Sequence, residues 1–541
     1  MKKQKLLVLL LFFCCDLFVN AECLHTAEAS GDDMPIVRIL AVGNSYSGDA
    51  VERFLYDLAK DSGIRLIIGN ACRGGKGLFQ IWDDLNTGAA STDYRKIDVN
   101  GHYSISTGWA LADILADEPW DYITFQQRAL EAGIYKTYTP YLSEIIEHVR
   151  SLLQSPDIKF GLHMVWAFAQ DSDHQGFLNY GRDQMAMYEA IVDASKQAIQ
   201  DNPDLSFIVP CGTSIQNLRS SFIGDNVTRD GGHLNKHIGR YTAAYTWFAS
   251  LFQEKATHSS FIPWCLNDFT SVVAKNAALA AVECPYSVTP QIYPRYVGEN
   301  TIVPIDININ FAYKSSAFPR WNHLSSDYFI TAGFQDANGV DVGIIVNTES
   351  DKFTLYNKNG PSVTNTQLDM PSEVSRTALL GYCQATPDNA EPAQASIVSF
   401  MHMNKALAYD FTFFGSQVGS SSLGNLETTY QLAGADTFFV SLDVANNVSK
   451  TVTIPCMRPD EDGTITLTVS AGPNNNSPNR FYYLNALRIS PSDPNDPNGI
   501  KDLESTKHSI IQPVARKVIR GKHLYIIKDN ETYSVDGKRV E

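Results

Sequence analysis

The chain has 541 residues, 44% of them hydrophobic and 11% aromatic, and a formal net charge of −16. That length exceeds one ordinary domain and the apolar content suffices for more than one core, so two or three modules are expected. The charge excludes an extended nucleic-acid surface, which needs clustered Lys and Arg.

The first residues read as a secretory signal: Lys2, Lys3 and Lys5, an apolar stretch from Leu6 to Val19, and Val19-Asn20-Ala21 as a small-residue cleavage site. Residues 1–21 are therefore expected to be removed and the mature protein to be exported, to the periplasm, the cell surface or beyond. Phe12-Phe13 before Cys14 and Ala21-Glu22 before Cys23 do not suit a lipoprotein anchor. No later segment offers about 18 uninterrupted apolar residues, so no membrane span is predicted. The remaining cysteines lack CxxC spacing and give a zinc site no support. Cys265 and Cys284 are the nearest candidates for a disulfide, with free thiols the equal alternative.

The stretch Ile36 to Gly63, IVRILAVGNSYSGDAVERFLYDLAKDSG, is the one around which the chain is organised. A β-branched run, Ile36 to Val42, has the composition of a buried strand. After Gly43, Asn44 and Ser45, the apolar residues Ala50, Val51, Phe54, Leu55, Leu58 and Ala59 recur at helical spacing, and Gly63 is a natural stop. A serine at the carboxyl end of a strand and the start of a helix suits a nucleophile; it also suits a helix cap.

From there to about Leu251, strands and helices alternate. Strands are expected at Arg65–Gly69, Asp121–Gln126, Lys159–Trp166 and Ser206–Pro210, and helices at Trp109–Ala116, Tyr141–Leu153, Gln184–Ile199 and Ile238–Leu251. A last helix, Asn267–Val282, closes the unit. The alternation predicts a doubly wound, three-layer α/β/α domain over 35–285, with reactive groups at the carboxyl ends of its parallel strands. Near Pro285 the texture changes. Short alternating runs (Ile305–Phe311, Val342–Asn347, Tyr409–Phe414, Thr437–Val444, Val452–Ile454, Thr464–Val469 and Phe481–Ile489), separated by turn signals, predict an antiparallel β-sandwich over 300–491. A stiff Pro- and Asp-rich linker comes next at 492–507, then a tail at 508–541 with a hairpin of His523–Lys528 and Thr532–Val535.

Far from Ser45 stands Thr228-Arg229-Asp230-Gly231-Gly232-His233-Leu234-Asn235. An acid three residues before a histidine, across two glycines, lets one loop fold back so that Asp230 orients the His233 ring through Nδ1 and leaves Nε2 for a serine proton. Two further stretches offer donors for an oxyanion: Asn70-Ala71-Cys72-Arg73-Gly74-Gly75-Lys76-Gly77 and Gln126-Gln127-Arg128. His233 and His237, without a carboxylate at suitable spacing, do not make a metal pair. No cofactor or metal is called for.

Together these four blocks resemble the SGNH, or GDSL-like, hydrolase superfamily, and most of all a GNS-type branch of secreted bacterial proteins. Gly43-Asn44-Ser45 stands for the nucleophile block, Gly75 for the oxyanion glycine and Asp230 with His233 for the closing D-x-x-H block. The resemblance implies a Ser45-His233-Asp230 mechanism with the Ser45 and Gly75 N–H groups and the Gln127 side chain around the oxyanion. Gln127 replaces the usual Asn, Gln126 is its rival, and Arg128 stands where Gly is common. The β-rich region is similar to galactose-binding-like jelly-roll accessory domains, through Phe318-Pro319-Arg320-Trp321-Asn322-His323-Leu324, Tyr409 to Ser416 and Phe481 to Leu487; Trp321 and Tyr482 are candidates to stack on sugar, with core packing the commoner role of aromatics in a sandwich. The tail resembles C-terminal sorting segments of Bacteroidetes-type exported proteins. The function implied is a secreted serine esterase acting on a carbohydrate ester, most readily an acetyl ester. The alternatives are a catalytically inactive glycan-binding protein and an esterase for lipid or other non-sugar esters.

Overall fold

The computed structural model describes residues 34–492, except 154, 313–317, 326–328, 349–352, 354, 384–394 and 420–423, and three tail strands at Arg516–Arg520, His523–Lys528 and Glu531–Ser534. The expected signal segment and the linker beyond Ser492 lie outside the described residues. In the tail, Arg516–Arg520 adds a strand to the hairpin expected from the sequence.

The amino-terminal unit begins with β1 (Ile36–Gly43), α1 (Ser45–Val51), α2 (Leu55–Asp61), β2 (Arg65–Cys72), α3 (Leu78–Thr87), β3 (Thr92–Ile97) and β4 (Tyr103–Trp109). It continues with α4 (Leu111–Asp117), β5 (Tyr122–Phe125), α5 (Tyr141–Leu153), β6 (Lys159–His163), α6 (Gln184–Asp201) and β7 (Leu205–Val209). Four helices, α7 (Cys211–Arg219), α8 (Ile238–Leu251), α9 (Gln253–His258) and α10 (Asp268–Glu283), complete it. The sheet runs β4-β3-β2-β1-β5-β6-β7, with β2, β1, β5, β6 and β7 mutually parallel and β3 and β4 antiparallel at one edge.

Alternation along the strands makes the layers. Leu40 and Val42 of β1 join Ile67, Ile123 and Phe125 under Leu78, Ile114, Leu142 and Ile145 of the helices on one face. Ile39 and Ala41 join Leu66 and Ile68 under Val51, Leu58, Ile215 and Tyr245 on the other. Each Leu, Ile or Val so buried contributes about 1.5–3 kcal/mol relative to exposure. The chain leaves β1 for β2 on one side and later crosses to β5 on the other. A crevice therefore opens at the carboxyl end of β1, where Asn44 and Ser45 lie.

The structure corrects the expected elements at several points. The single helix expected up to Gly63 is two, because the chain breaks at Glu52–Phe54: the Glu52 carboxylate takes hydrogen bonds from Asn70, Arg95 and Tyr103, and Phe54 turns inward to 2% exposure. The helix expected from Trp109 starts at Leu111, since Thr92–Ile97 and Tyr103–Trp109 form a hairpin at the sheet edge. Helices α3 and α7 were not anticipated. Cys284 carries a free thiol, so it is not bridged to Cys265. Among the described residues no helix is long and apolar enough to cross a membrane.

The carboxyl-terminal unit is almost wholly antiparallel. Its strands are β8 (Ile307–Phe311), β9 (Asn322–Leu324), β10 (Ile330–Thr331), β11 (Ile345–Thr348), β12 (Leu355–Asn357), β13 (Ala378–Tyr382) and β14 (Ser396–Met401). They are followed by β15 (Tyr409–Phe414), β16 (Glu427–Ala433), β17 (Thr437–Asp443), β18 (Val452–Met457), β19 (Ile465–Ala471), β20 (Phe481–Leu484) and β21 (Ala486–Pro491). One sheet runs β10-β11-β14-β19-β16-β17, a second β18-β15-β21-β8-β9 and a short third β12-β13-β20. Val398, Phe400, Tyr430 and Leu467 of the first share one core with Ile309, Phe411, Phe413 and Leu487 of the second, the packing a β-sandwich requires. The run expected as one strand, Phe481–Ile489, divides at the fully buried Asn485, whose amide bonds the Ser416 N–H and the Ser375 carbonyl and hands the chain from one sheet to another. Tyr482 is wholly buried in this core, not available for stacking on a ligand.

The two units share apolar surface. Tyr296, Ile330, Ala332 and Ile345 belong to the same buried cluster as α8 and α10. The Tyr296 ring packs 4.8 Å from Phe222 and 5.5 Å from Phe269, and Asn267 donates to the Ala332 carbonyl.

Candidate functional site

Asn44 caps α1 in an extended conformation, its Oδ1 accepting from the Tyr46 N–H at 3.0 Å. The same oxygen accepts from Gln126 Nε2 at 2.8 Å, while Asn44 Nδ2 donates to the Lys76 carbonyl at 2.9 Å. One buried amide thereby ties the ends of β1, β2 and β5 together. Ser45 is the first residue of the helix and is half-buried, so its Oγ stands at the mouth of the crevice.

Ser45 Oγ lies 2.9 Å from His233 Nε2, and His233 Nδ1 lies 2.8 Å from Asp230 Oδ2. The other Asp230 oxygen accepts the backbone N–H groups of His233 at 2.7 Å and Gly232 at 3.1 Å. Partial burial pushes the Asp230 carboxyl upward, but the hydrogen bonds from His233 and Gly232 outweigh it and hold the group below its ordinary value. It is therefore a carboxylate at neutral pH, suited to keep the proton on Nδ1 and leave Nε2 as acceptor. The three residues singled out in the sequence, 188 positions apart at the extremes of the Ser45–His233 pair, form one continuous hydrogen-bonded chain.

The loop bearing His233 is held from several sides. Arg229 N–H donates to the His233 carbonyl at 2.9 Å, and Asn235 N–H to the Val227 carbonyl at 2.8 Å, closing a small antiparallel bridge. Trp166 Nε1 donates to the Gly232 carbonyl at 2.8 Å. Gly231 has φ +76°, and a side chain there would meet Ser172 at 2.9–3.1 Å, so both conformation and space require glycine.

Asp49 was not anticipated. It lies one turn after Ser45 on α1 and is 2% exposed. Its carboxylate accepts the Leu234 N–H at 2.8 Å, both oxygens take Arg229 Nη1 at 3.1 Å, and Arg240 pairs with it as well. It thus fastens the histidine loop to the helix that carries the serine. The available signal was an acid on the apolar face of a helix, which a core tolerates only when paired. Tyr46 was also missed: its ring stacks on Trp166 at 4.6 Å and lies 5.4 Å from the His233 ring. Burial, with the nearby Asp230 and Asp49 charges, pushes its phenol far above the ordinary value, so it stays neutral.

The expected oxyanion group is corrected at Gln127. Its Nε2 donates to the Thr137 carbonyl and hydroxyl, both at 3.0 Å, and its Oε1 accepts from the N–H groups of Leu78 and Arg128. All four positions of the amide are used, so Gln127 braces two loops and has no donor to spare. Gln126 is committed to Asn44. Arg128 is turned to Glu131. Gly75, at φ +65° in an exposed turn, keeps a backbone N–H with no partner among the described residues, and the Ser45 N–H at the first helical position has no intrahelical acceptor. His163 is a core residue: it packs 5.3 Å from Trp247, and burial pushes its pKa down to about 3.

Residues 38–281 match DUF4886, described as a domain of unknown function. Comparison with curated proteins returns no match. Among solved structures, a DUF4886 family protein from Bacteroides uniformis is 39% identical, with a TM-score of 0.46, over 47% of this chain and 98% of its own. A protein titled a putative SGNH hydrolase from Slackia heliotrinireducens is 18% identical, with a TM-score of 0.29, over 40% of this chain and 100% of its own. A variant of an acetyl-xylooligosaccharide esterase from Geobacillus Stearmophilus is 11% identical, with a TM-score of 0.26, over 40% of this chain and 94% of its own. The last two are too distant to say anything of this chain's chemistry. With 39% identity over 98% of the first protein's length and the family model matched at residues 38–281, this chain belongs, through its amino-terminal α/β unit, to the DUF4886 family.

Proposed function

We propose that the protein is an exported serine esterase of the SGNH type that removes acyl groups, most readily acetyl, from a carbohydrate. The observation that carries the reading is the relay from Ser45 Oγ through His233 to Asp230, at 2.9 and 2.8 Å, standing at the switch point of the sheet. In this reading Ser45 Oγ bonds to the ester carbonyl carbon as His233 Nε2 takes its proton. The imidazolium, steadied by Asp230, returns that proton to the departing sugar alkoxide. Water, activated by the same histidine, then hydrolyses the acyl-Ser45 ester. The N–H groups of Ser45 and Gly75 serve the oxyanion, each contributing roughly 2.7–4 kcal/mol. The chemistry calls for no metal or cofactor.

The test is acetate release from a small aryl acetate by wild type and by Ser45→Ala, with folding of both checked by circular dichroism. The reading expects kcat to fall roughly 10⁴- to 10⁶-fold in the variant. Equal turnover by the two proteins would assign the chemistry elsewhere.

A further inference from the structure

We propose that Phe79, Trp82 and Tyr141 form the sugar subsite of this centre, a rigid aromatic shelf that seats a pyranose ring of an acylated oligosaccharide. The inference rests on the esterase reading and specifies its substrate. Phe79 is the second residue of α3 and Tyr141 the first of α5, so both stand where helices leave the carboxyl edge of the sheet, the edge that carries Ser45. The loop 73–77 that runs directly into α3 is itself fastened beside the serine, by Asn44 Nδ2 to the Lys76 carbonyl and by the Arg73 N–H to the Gly43 carbonyl at 2.8 Å.

The three rings make one surface. Phe79 lies 5.2 Å from Tyr141 and 6.2 Å from Trp82, and Trp82 lies 5.5 Å from Tyr141. Trp82 Nε1 donates to the Glu144 carboxylate at 2.5 Å, which fixes the indole plane. Trp82 and Tyr141 are partly buried, packed on the core that Leu78, Ile81 and Leu85 of α3 form with Leu142 and Ile145 of α5, while Phe79 stays 46% exposed. An aromatic face held this firmly, with Phe79 exposed, on helices that start at the sheet edge bearing Ser45 is a ligand surface. Its chemistry selects the ligand. Flat rings match the C–H face of a sugar, and the exposed Glu144 carboxylate, held to Trp82, suits its hydroxyl edge. An acyl or lipid chain would ask for an aliphatic groove, which these three side chains do not make.

The experiment compares wild type, Phe79→Ala, Trp82→Ala and the conservative Phe79→Tyr on three esters: an acetylated oligosaccharide, ethyl acetate and a medium-chain alkyl ester. The alanine variants should raise KM for the oligosaccharide about tenfold, with kcat/KM for ethyl acetate unchanged to within about twofold and Phe79→Tyr close to wild type. Loss of activity on all three esters alike, no change on the oligosaccharide, or a loss confined to the medium-chain ester would each overturn the assignment. Wild type that hydrolyses ethyl acetate but no acetylated oligosaccharide would overturn it while sparing the serine mechanism. Wild type inert on every ester, with Ser45 unreactive towards a fluorophosphonate, would remove that mechanism and the shelf's role with it.

Discussion

Ser45, His233 and Asp230 acquire their geometry from residues that take no part in the proposed chemistry, and Asp49 is the chief of them. A carboxylate at 2% exposure is tolerable because two guanidinium groups and one N–H surround it. Asp49→Ala would deprive the partly exposed Arg229 and Arg240 of their shared carboxylate and leave the Leu234 N–H, beside His233, without its acceptor. Denaturant unfolding should show about 1–3 kcal/mol lost, and turnover should fall with kcat affected more than KM. Unaltered stability would mean that the arginines find other partners. Asp230 makes a separate prediction. Its pKa is lowered on folding, so its contribution to stability is fully present above the ordinary carboxylate value and is lost only as pH falls through the lower, folded value. The stability difference between wild type and Asp230→Asn should therefore be flat at neutral pH and shrink only below about pH 4. A difference that already declined between about pH 7 and 5 would place the controlling titration elsewhere.

At the scale of elements, the loop 228–235 is the most constrained part of the site. Gly231→Ala would demand a left-handed residue and push against Ser172, side chain and Cα alike, at a cost of about 1–3 kcal/mol. Its melting temperature and its kcat should fall together; a variant with wild-type kcat would show that the loop relaxes without moving His233. The elements that position the site were largely legible: Tyr141–Leu153 and Ile238–Leu251 have the bounds their periodicity predicts, and the glycine-flanked acid and histidine meet the serine as their spacing implies. What escaped has physical reasons. The β3-β4 hairpin is polar and its outer strand exposed, so it lacks apolar contrast, although Asn100-Gly101 was a turn signal within it. The break after α1 depends on partners that reach Glu52 from β2, β3 and β4, which no local pattern reports. Gln127 was assigned by analogy of position; Thr137, which occupies its amide, lies ten residues on in a single 3-10 turn, Tyr135–Thr137, too short to show periodicity.

For the whole molecule, the shared cluster around Tyr296 makes the β-rich unit part of the α/β unit's stability. The Tyr296 phenol donates to Asp341 at 3.0 Å and accepts the Gly333 N–H at 2.8 Å, while its ring packs against both Phe222 and Phe269, which stack on each other. Calorimetry of the wild type should show one cooperative transition. Tyr296→Ala, at a cost of about 3–5 kcal/mol, should divide it into two. Two transitions in the wild type would mean that the units fold independently despite their common surface. In the proposed mechanism Ser45 is a nucleophile activated by His233 and Asp230. The most direct measurement is the intact mass of wild type, Ser45→Ala and His233→Ala after exposure to a fluorophosphonate, with the modified peptide mapped. One adduct on Ser45 in the wild type, absent from Ser45→Ala and greatly slowed in His233→Ala, is the predicted result. An unmodified wild type, or an adduct on another residue that persists in Ser45→Ala, would contradict it.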